Sequence, residues 1–151
     1  MYTEQLTQRL GITAPVAPQT LTTTTTVNSG KVDLSIFHRA LFLFETGVFG
    51  GTSPTLSAVL QIQDSPDGVT WTNNSTVPSA TVTAASKQAT LEIRADQLNS
   101  GARFVRLQAV CTVGGTSPTI PVAVVGFGDE AAHKPGSAQN DVSVVSQTVV
   151  N

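Results

Sequence analysis

The chain has 151 residues, 12% of them charged, and a formal net charge of -2. That length supplies one domain around one hydrophobic core. The charged fraction, against ~25% in ordinary globular chains, leaves no basic patch for nucleic acid and no polybasic stretch for a membrane. No apolar run approaches the ~18 residues of a bilayer span. The first ten residues lack a signal peptide's apolar centre, so synthesis in a cytoplasm without export is expected. Cys111 is the single cysteine, which excludes an internal disulfide and a multi-cysteine metal site within one chain.

Residues 3–10 read as one or two helical turns, with Thr3 as cap, Leu6 and Leu10 on one face and Gly11 as the stop. Ala14-Pro15-Val16-Ala17-Pro18 favours extended backbone. Thr22, Thr23, Thr24, Thr25 and Thr26 follow as an unbroken run of stiff β-branched residues. This stretch carries too little apolar surface to fold alone. Residues 1–30 are therefore expected as an extended N-terminal arm, held by a neighbouring subunit or a larger assembly.

From Lys31 to Gly128 the pattern is that of a core. Asp33–Arg39 leads into a first long strand. Phe42, Phe44 and Val48 share one face of it, and Leu41, Leu43 and Phe49 the other. Apolar residues on both faces mark a central or partner-covered strand. Residues 36–44 also read as a short buried helix, but the density of aromatics favours strand. Next comes Gly50-Gly51-Thr52-Ser53-Pro54-Thr55, a sequence that recurs at Gly114–Thr119. Paired glycine and proline between β-favouring runs predict two hairpin ends that lie close together in space.

Leu56, Ala58, Leu60 and Ile62 alternate with Ser57, Val59, Gln61 and Gln63, a half-buried strand. Ser65-Pro66-Asp67-Gly68 suits a type I turn, and Val69–Trp71 begins the return strand. Residues 72–88 read as polar loop with a short edge strand near Thr81–Thr83. Ala89, Leu91 and Ile93 define another strand, and Ala95–Gly101 one helical turn. Val105, Leu107, Ala109, Cys111 and Val113 then point inward, ahead of the second GGTSPT and the strand Ile120–Phe127. Asp129 and Glu130 open a linker. Val142–Val150 regains β propensity, and residues 129–151 form a C-terminal arm. Seven or more strands at short spacing predict an all-β fold, a β-sandwich or jelly roll with extended N- and C-terminal arms.

A search for chemistry finds little. His38 and His133 stand near no nucleophile motif, and G-x-S-x-G is absent. Cys111 falls in the inward phase, as a structural thiol does. Asp64 and Asp67 offer two carboxylates where calcium takes 6–8 oxygens. Asn73 and Asn74 each open an N-x-S/T sequon, of no consequence without export. GGTSPT lacks a phosphate loop's lysine. Neither an enzyme nor any cofactor or metal is expected.

Ser65-Pro66-Asp67-Gly68-Val69-Thr70-Trp71 resembles the S-x-D-G-x-x-W hairpin of discoidin-like jelly rolls. Ala102–Leu107, A-R-F-V-R-L, resembles the A-R-Y-V-R-I strand that follows in those domains. Turn chemistry by itself calls for Pro66, Asp67 and Gly68 in the turn and favours Trp71 as a core-filling scaffold residue; the likeness implies, as the alternative, a carbohydrate-binding module that holds a glycan through Trp71 or exposed loops. The chain departs from those domains in lacking the cysteine pair that commonly joins their ends. The same hairpin, with Leu60–Gln63, Leu91–Leu98 and Gly101–Arg106, also resembles small head proteins of tailed bacteriophages, over residues 33–128. That resemblance implies a decoration or cement protein on the capsid surface of the virion. Its partners would be the major capsid protein and copies of itself, as in a trimer. Extended arms would clamp neighbouring capsomers through Leu6, Leu10, Thr22–Thr26, Val142 and Val144.

Overall fold

The computed structural model describes residues 4–149. In chain order its elements are a one-turn helix α1 (Leu6–Arg9), β1 (Gly11–Ile12), β2 (Val16–Leu21), β3 (Thr25–Asn28), β4 (Val32–Asp33), β5 (Phe37–Thr46), β6 (Gly50–Ser65), β7 (Thr72–Asn73), β8 (Ala80–Val82), β9 (Gln88–Arg94) and β10 (Phe104–Ala131). Short 3-10 turns occupy Ala95–Gln97 and Gly136–Gln139. None of the described helices is long and apolar enough to cross a membrane.

The fold is organised along β10, a single strand of 28 residues. On one side β10 pairs antiparallel with β6, from Phe104↔Ser65 to Gly114↔Thr55, and then with β5, from Val122↔Thr46 to Ala131↔Phe37. On its other side it pairs with β4 and β3, and then with β2 and β1. The outer strands complete an antiparallel sheet, with β9 on β5 and with β7 and β8 on β6. The sheet curls where β10 passes Gly114–Thr119, so its two halves close on one core in an all-β, sandwich-like fold. Phe42, Phe44, Leu60, Ile62, Ile93, Leu107 and Ile120 are fully buried in that core. Each such side chain contributes roughly 1.5–3 kcal/mol relative to exposure.

Strand is the right reading of residues 36–44, because β5 runs through Thr46 with Phe42 and Phe44 inward. Val48 lies past the end of β5 and is exposed, so it does not share their face. The edge strand expected near Thr81 is β8, paired with Ala58–Leu60. The N-terminal turn is capped by Gln5, whose N–H donates to Gln8 Oε1 at 3.0 Å. Thr3, the expected cap, lies outside the described residues.

Two expectations change. The N-terminal segment is extended, but from Gly11 to Asp33 it is bonded to its own chain instead of reaching to a neighbour. Ala14, Leu21 and Val27 are buried in the domain's own core. The physical reason is that a strand as long as β10 has two rows of backbone donors and acceptors to satisfy, and residues 37–65 satisfy only one.

The GGTSPT copies are close, as expected, yet they are not hairpin ends. β5 and β6 do not pair with each other. Instead, each copy carries its strand from one half of the sheet to the other, and the copies pair together: Gly50↔Thr119, Thr52↔Thr116 and Thr55↔Gly114. Their backbones match, with positive φ at Gly51 and Gly115 (103° and 110°) and at Ser53 and Ser117 (51° and 50°). The repeat is therefore a corner with near two-fold symmetry.

Candidate functional site

The Ser-Pro-Asp-Gly turn closes on its own polar groups. Ser65 Oγ accepts from the Gly68 N–H at 2.9 Å and donates to Asp67 Oδ1 at 2.8 Å. Asp67 Oδ1 also accepts from the Thr70 and Val69 N–H groups at 2.8 and 2.9 Å, and Oδ2 accepts from Thr70 Oγ1. Those backbone donors, Thr70 first, with Ser65 added, hold the Asp67 carboxyl well below the usual carboxylate range. Gly68, at φ 73°, lies under Lys31. A pH dependence follows from the depressed value. The turn's contribution is complete above the unfolded carboxylate pKa of about 3.9 and is lost as the pH falls below it. Urea midpoints followed into acid should therefore drop less steeply for Asp67→Asn than for the native chain.

Trp71 does not fill the core. It is half-buried on the outer face of the sheet, with the Arg106 guanidinium 4.4 Å from its ring centroid. Arg106 alternates with the buried Val105 and Leu107 and so must point outward. Its Nε and Nη2 donate to Gln63 Oε1 at 2.9 and 2.7 Å, and Gln63 Nε2 donates to Asn73 Oδ1 at 2.8 Å. The result is an aromatic ring with one guanidinium over its face, and that guanidinium is held in turn by the Gln63–Asn73 amide pair.

Behind this ladder lies a buried polar plug. Asp64 is 2% exposed and Asn74 1%. Asp64 Oδ2 accepts from Asn74 Nδ2 at 2.8 Å and from the Asn99 N–H at 2.9 Å, and Oδ1 accepts from Asn99 Nδ2 at 2.9 Å. Asn74 Nδ2 also donates to the Gln97 carbonyl, and its Oδ1 accepts from the Thr76 and Val77 N–H groups. One carboxylate thus ties β6 to two loops. Asp64→Ala would break three hydrogen bonds and leave the Asn99 N–H without an acceptor, so a loss of about 3–5 kcal/mol is expected in urea unfolding. The plug has a readable signal, since Asp64 follows Leu60 and Ile62 in the inward phase.

Asp64 and Asp67 do not assemble a cation site, because the oxygens of each are engaged separately. No group of three or more His, Cys, Asp or Glu suited to a metal occurs among the described residues. His38 and His133 are exposed. Cys111 is buried, and burial pushes its thiol up to about 11. Asn74 is too buried to accept a modification as folded, whereas Asn73 is exposed.

The third feature is the meeting of the chain ends. Arg9 makes a two-pronged pair with Asp129, at 2.9 and 2.8 Å, which holds the Asp129 carboxyl below its usual range. Gly136 lies so close to the Arg9–Leu10 backbone that a Cβ would come within 2.7 Å of it. Asn140 Oδ1 accepts from the Ile12 N–H at 2.8 Å, and the Asp141 N–H donates to the Ile12 carbonyl at 2.7 Å. Lys134 pairs with Glu4.

This clasp brings together several of the residues expected to contact a partner. Leu6 is 72% exposed, Val142 88% and Val144 48%. Leu10 is half-buried and lines a hollow of about 360 Å³ with Arg39, Leu41, Glu92, Phe127 and Asp129. Thr22–Thr26 lie elsewhere, exposed beside the GGTSPT corner, where the Val113 N–H donates to Thr24 Oγ1 at 3.0 Å. No protein-family model and no curated protein matches the chain in sequence.

Proposed function

We propose that this protein is a structural subunit of a phage virion, binding and stabilising an assembled capsid as a decoration or cement protein. The observation that supports this reading is the clasped end of the domain. There, two segments outside the sheet hold Leu6, Val142 and Val144 in solvent. Covering such side chains yields roughly 1.5–3 kcal/mol each, less the cost of ordering the segments that carry them. One copy would bind weakly. Several copies in a homo-oligomer, such as a trimer, would bind jointly through effective concentration. The major capsid protein is the partner, and the clamping role falls to α1 and the C-terminal tail, because residues 11–33 are committed to β10.

Co-sedimentation with purified shells that lack the protein tests this. The native chain should pellet at fixed stoichiometry. A Leu6→Asp, Val142→Asp, Val144→Asp variant should stay in the supernatant with an unchanged urea midpoint. Full binding by that variant removes the surface from consideration, and failure of the native chain to bind its shells removes the reading.

Trp71 supports a second reading, glycan recognition. A half-buried indole with Arg106 over one face, near the exposed Asn73, offers aromatic surface and polar groups for hydroxyls. Saturable, sugar-dependent change in the fluorescence of this single Trp is the expected sign, and no change across a sugar panel rejects it.

A further inference from the structure

Two uncharged, β-prone segments of this chain leave backbone unpaired, and they do not meet. The first is the outer edge of β3. β3 bonds to β10 from Thr25↔Cys111 to Asn28↔Gln108, and no described strand pairs with its other side. Thr22–Thr26 are exposed along it. Natural edge strands are usually guarded by charge, proline, a bulge or brevity. The neighbouring edges follow that rule. β2 holds Pro18 and a register shift opposite Val122–Val124, β9 carries Glu92 and Arg94, and β7 and β8 are two and three residues long. β3 has no such guard beyond its modest length, and no charged residue or proline occurs between Gln19 and Gly30.

The second segment is the tail, Val142-Ser143-Val144-Val145-Ser146-Gln147-Thr148-Val149. It has four valines and a threonine, with no charge, proline or glycine. It forms no strand in its own chain. Its backbone is bonded only near its root, where Asn140 and Asp141 bond Ile12, the Ser143 N–H donates to Asp141 Oδ1, and the Val144 and Val145 N–H groups turn back to the Asp141 carbonyl; farther along, one side-chain bond, from Asn140 Nδ2 to Thr148 Oγ1 at 3.0 Å, holds it. That turn sends Val145–Val149 over Leu6, Leu10 and Phe127, where a hollow of about 430 Å³ remains beneath it. The tail is thus directed away from its own β3.

We propose that the tail Val142–Val149 of one copy adds as a strand to the β3 edge of a second copy. Backbone hydrogen bonds would supply the affinity, and alternate valines would pack beside the threonine row. Donor and acceptor are different surfaces of one chain. The contact is therefore head-to-tail and closes into a ring when the rotation permits, or it is exchanged mutually in a dimer. This association draws on Val142 and Val144, which the proposed function also uses, but it needs no shell, so it is measured separately from capsid binding.

The test is sedimentation velocity on the full chain and two variants, with circular dichroism to confirm that each is folded. The native chain is expected to self-associate as concentration rises. A chain ending at Asp141 and a Thr23→Lys, Thr25→Lys variant should each be monomeric alone. Mixed, they should form a 1:1 complex, because one retains the edge and the other the tail. A native chain that stays monomeric, a truncated chain that associates as the native one does, or a mixture that fails to pair each overturns the proposal. Loss of amide protection at Thr25–Asn28 on truncation of a monomeric native chain would place the tail on its own edge instead, and overturns it equally.

Discussion

Removing residues 1–30 should unfold the domain instead of merely freeing it from a partner. The deletion takes away β1, β2 and β3, and with them Leu21 and Val27, each 5% exposed, and the fully buried Ala14. The two larger side chains are worth roughly 1.5–3 kcal/mol apiece. The deletion also strips the side of β10 that β1, β2 and β3 line, except where β4 pairs with Phe104 and Val105, leaving its donors and acceptors facing core or water without partners. The combined loss, on the order of 5 kcal/mol or more, is comparable to the ~5–15 kcal/mol by which whole domains are stable. Urea unfolding followed by circular dichroism should show no cooperative transition. A truncation that stops before Gly11 loses α1, the Arg9–Asp129 and Glu4–Lys134 pairs and the contact of Gly136 with the Arg9–Leu10 backbone, and should keep a cooperative transition at a lower midpoint. Cooperative folding of the longer deletion would mean that the pairing of residues 11–28 contributes little.

Gly51→Ala and Gly115→Ala should each destabilise the domain by about 2–4 kcal/mol, and by similar amounts. Both glycines lie at positive φ, and a Cβ on Gly51 would stand 2.5 Å from the Ser117 carbonyl oxygen. A Cβ on Gly115 would stand 2.7 Å from the Ser53 carbonyl oxygen, the mirror of the same contact. Neither obstacle is a flexible side-chain end; both are backbone. The double variant should cost less than the sum, because one relaxation of the corner relieves both clashes. Gly101→Ala separates the two causes. Its φ is 79° with nothing within 4 Å of a Cβ, so only the conformational cost of about 1 kcal/mol remains. Equal effects at Gly51 and Gly101 would show that the paired corners are not tightly packed.

Asp64 illustrates what a local reading can and cannot reach. Its position in the inward phase after Ile62 marks it as a buried carboxylate, but its partners come from Asn74 and Asn99, 10 and 35 residues away. Trp71 departs from the core position its sequence context suggests for a related reason. A Trp after a tight turn reads as a core residue, yet the turn leaves the sheet on its outer side, and Arg106 is the surface it meets. The exposure of Leu6, Val142 and Val144 was legible because each lies in a stretch too short or too polar to bury itself.

The twin GGTSPT segments show where local information ends. By itself the sequence determined that the chain is all-β, which residues of β6, β9 and the first half of β10 face inward, and that the chain turns at Ser65–Gly68. Those features depend on a two-residue period and on groups a few residues apart. Only the tertiary structure decided that the repeats are corners paired with each other, that residues 11–33 cover the second side of β10, and that the two chain ends clasp. These outcomes follow from closing one core and satisfying both edges of a 28-residue strand, requirements that no short window of sequence contains.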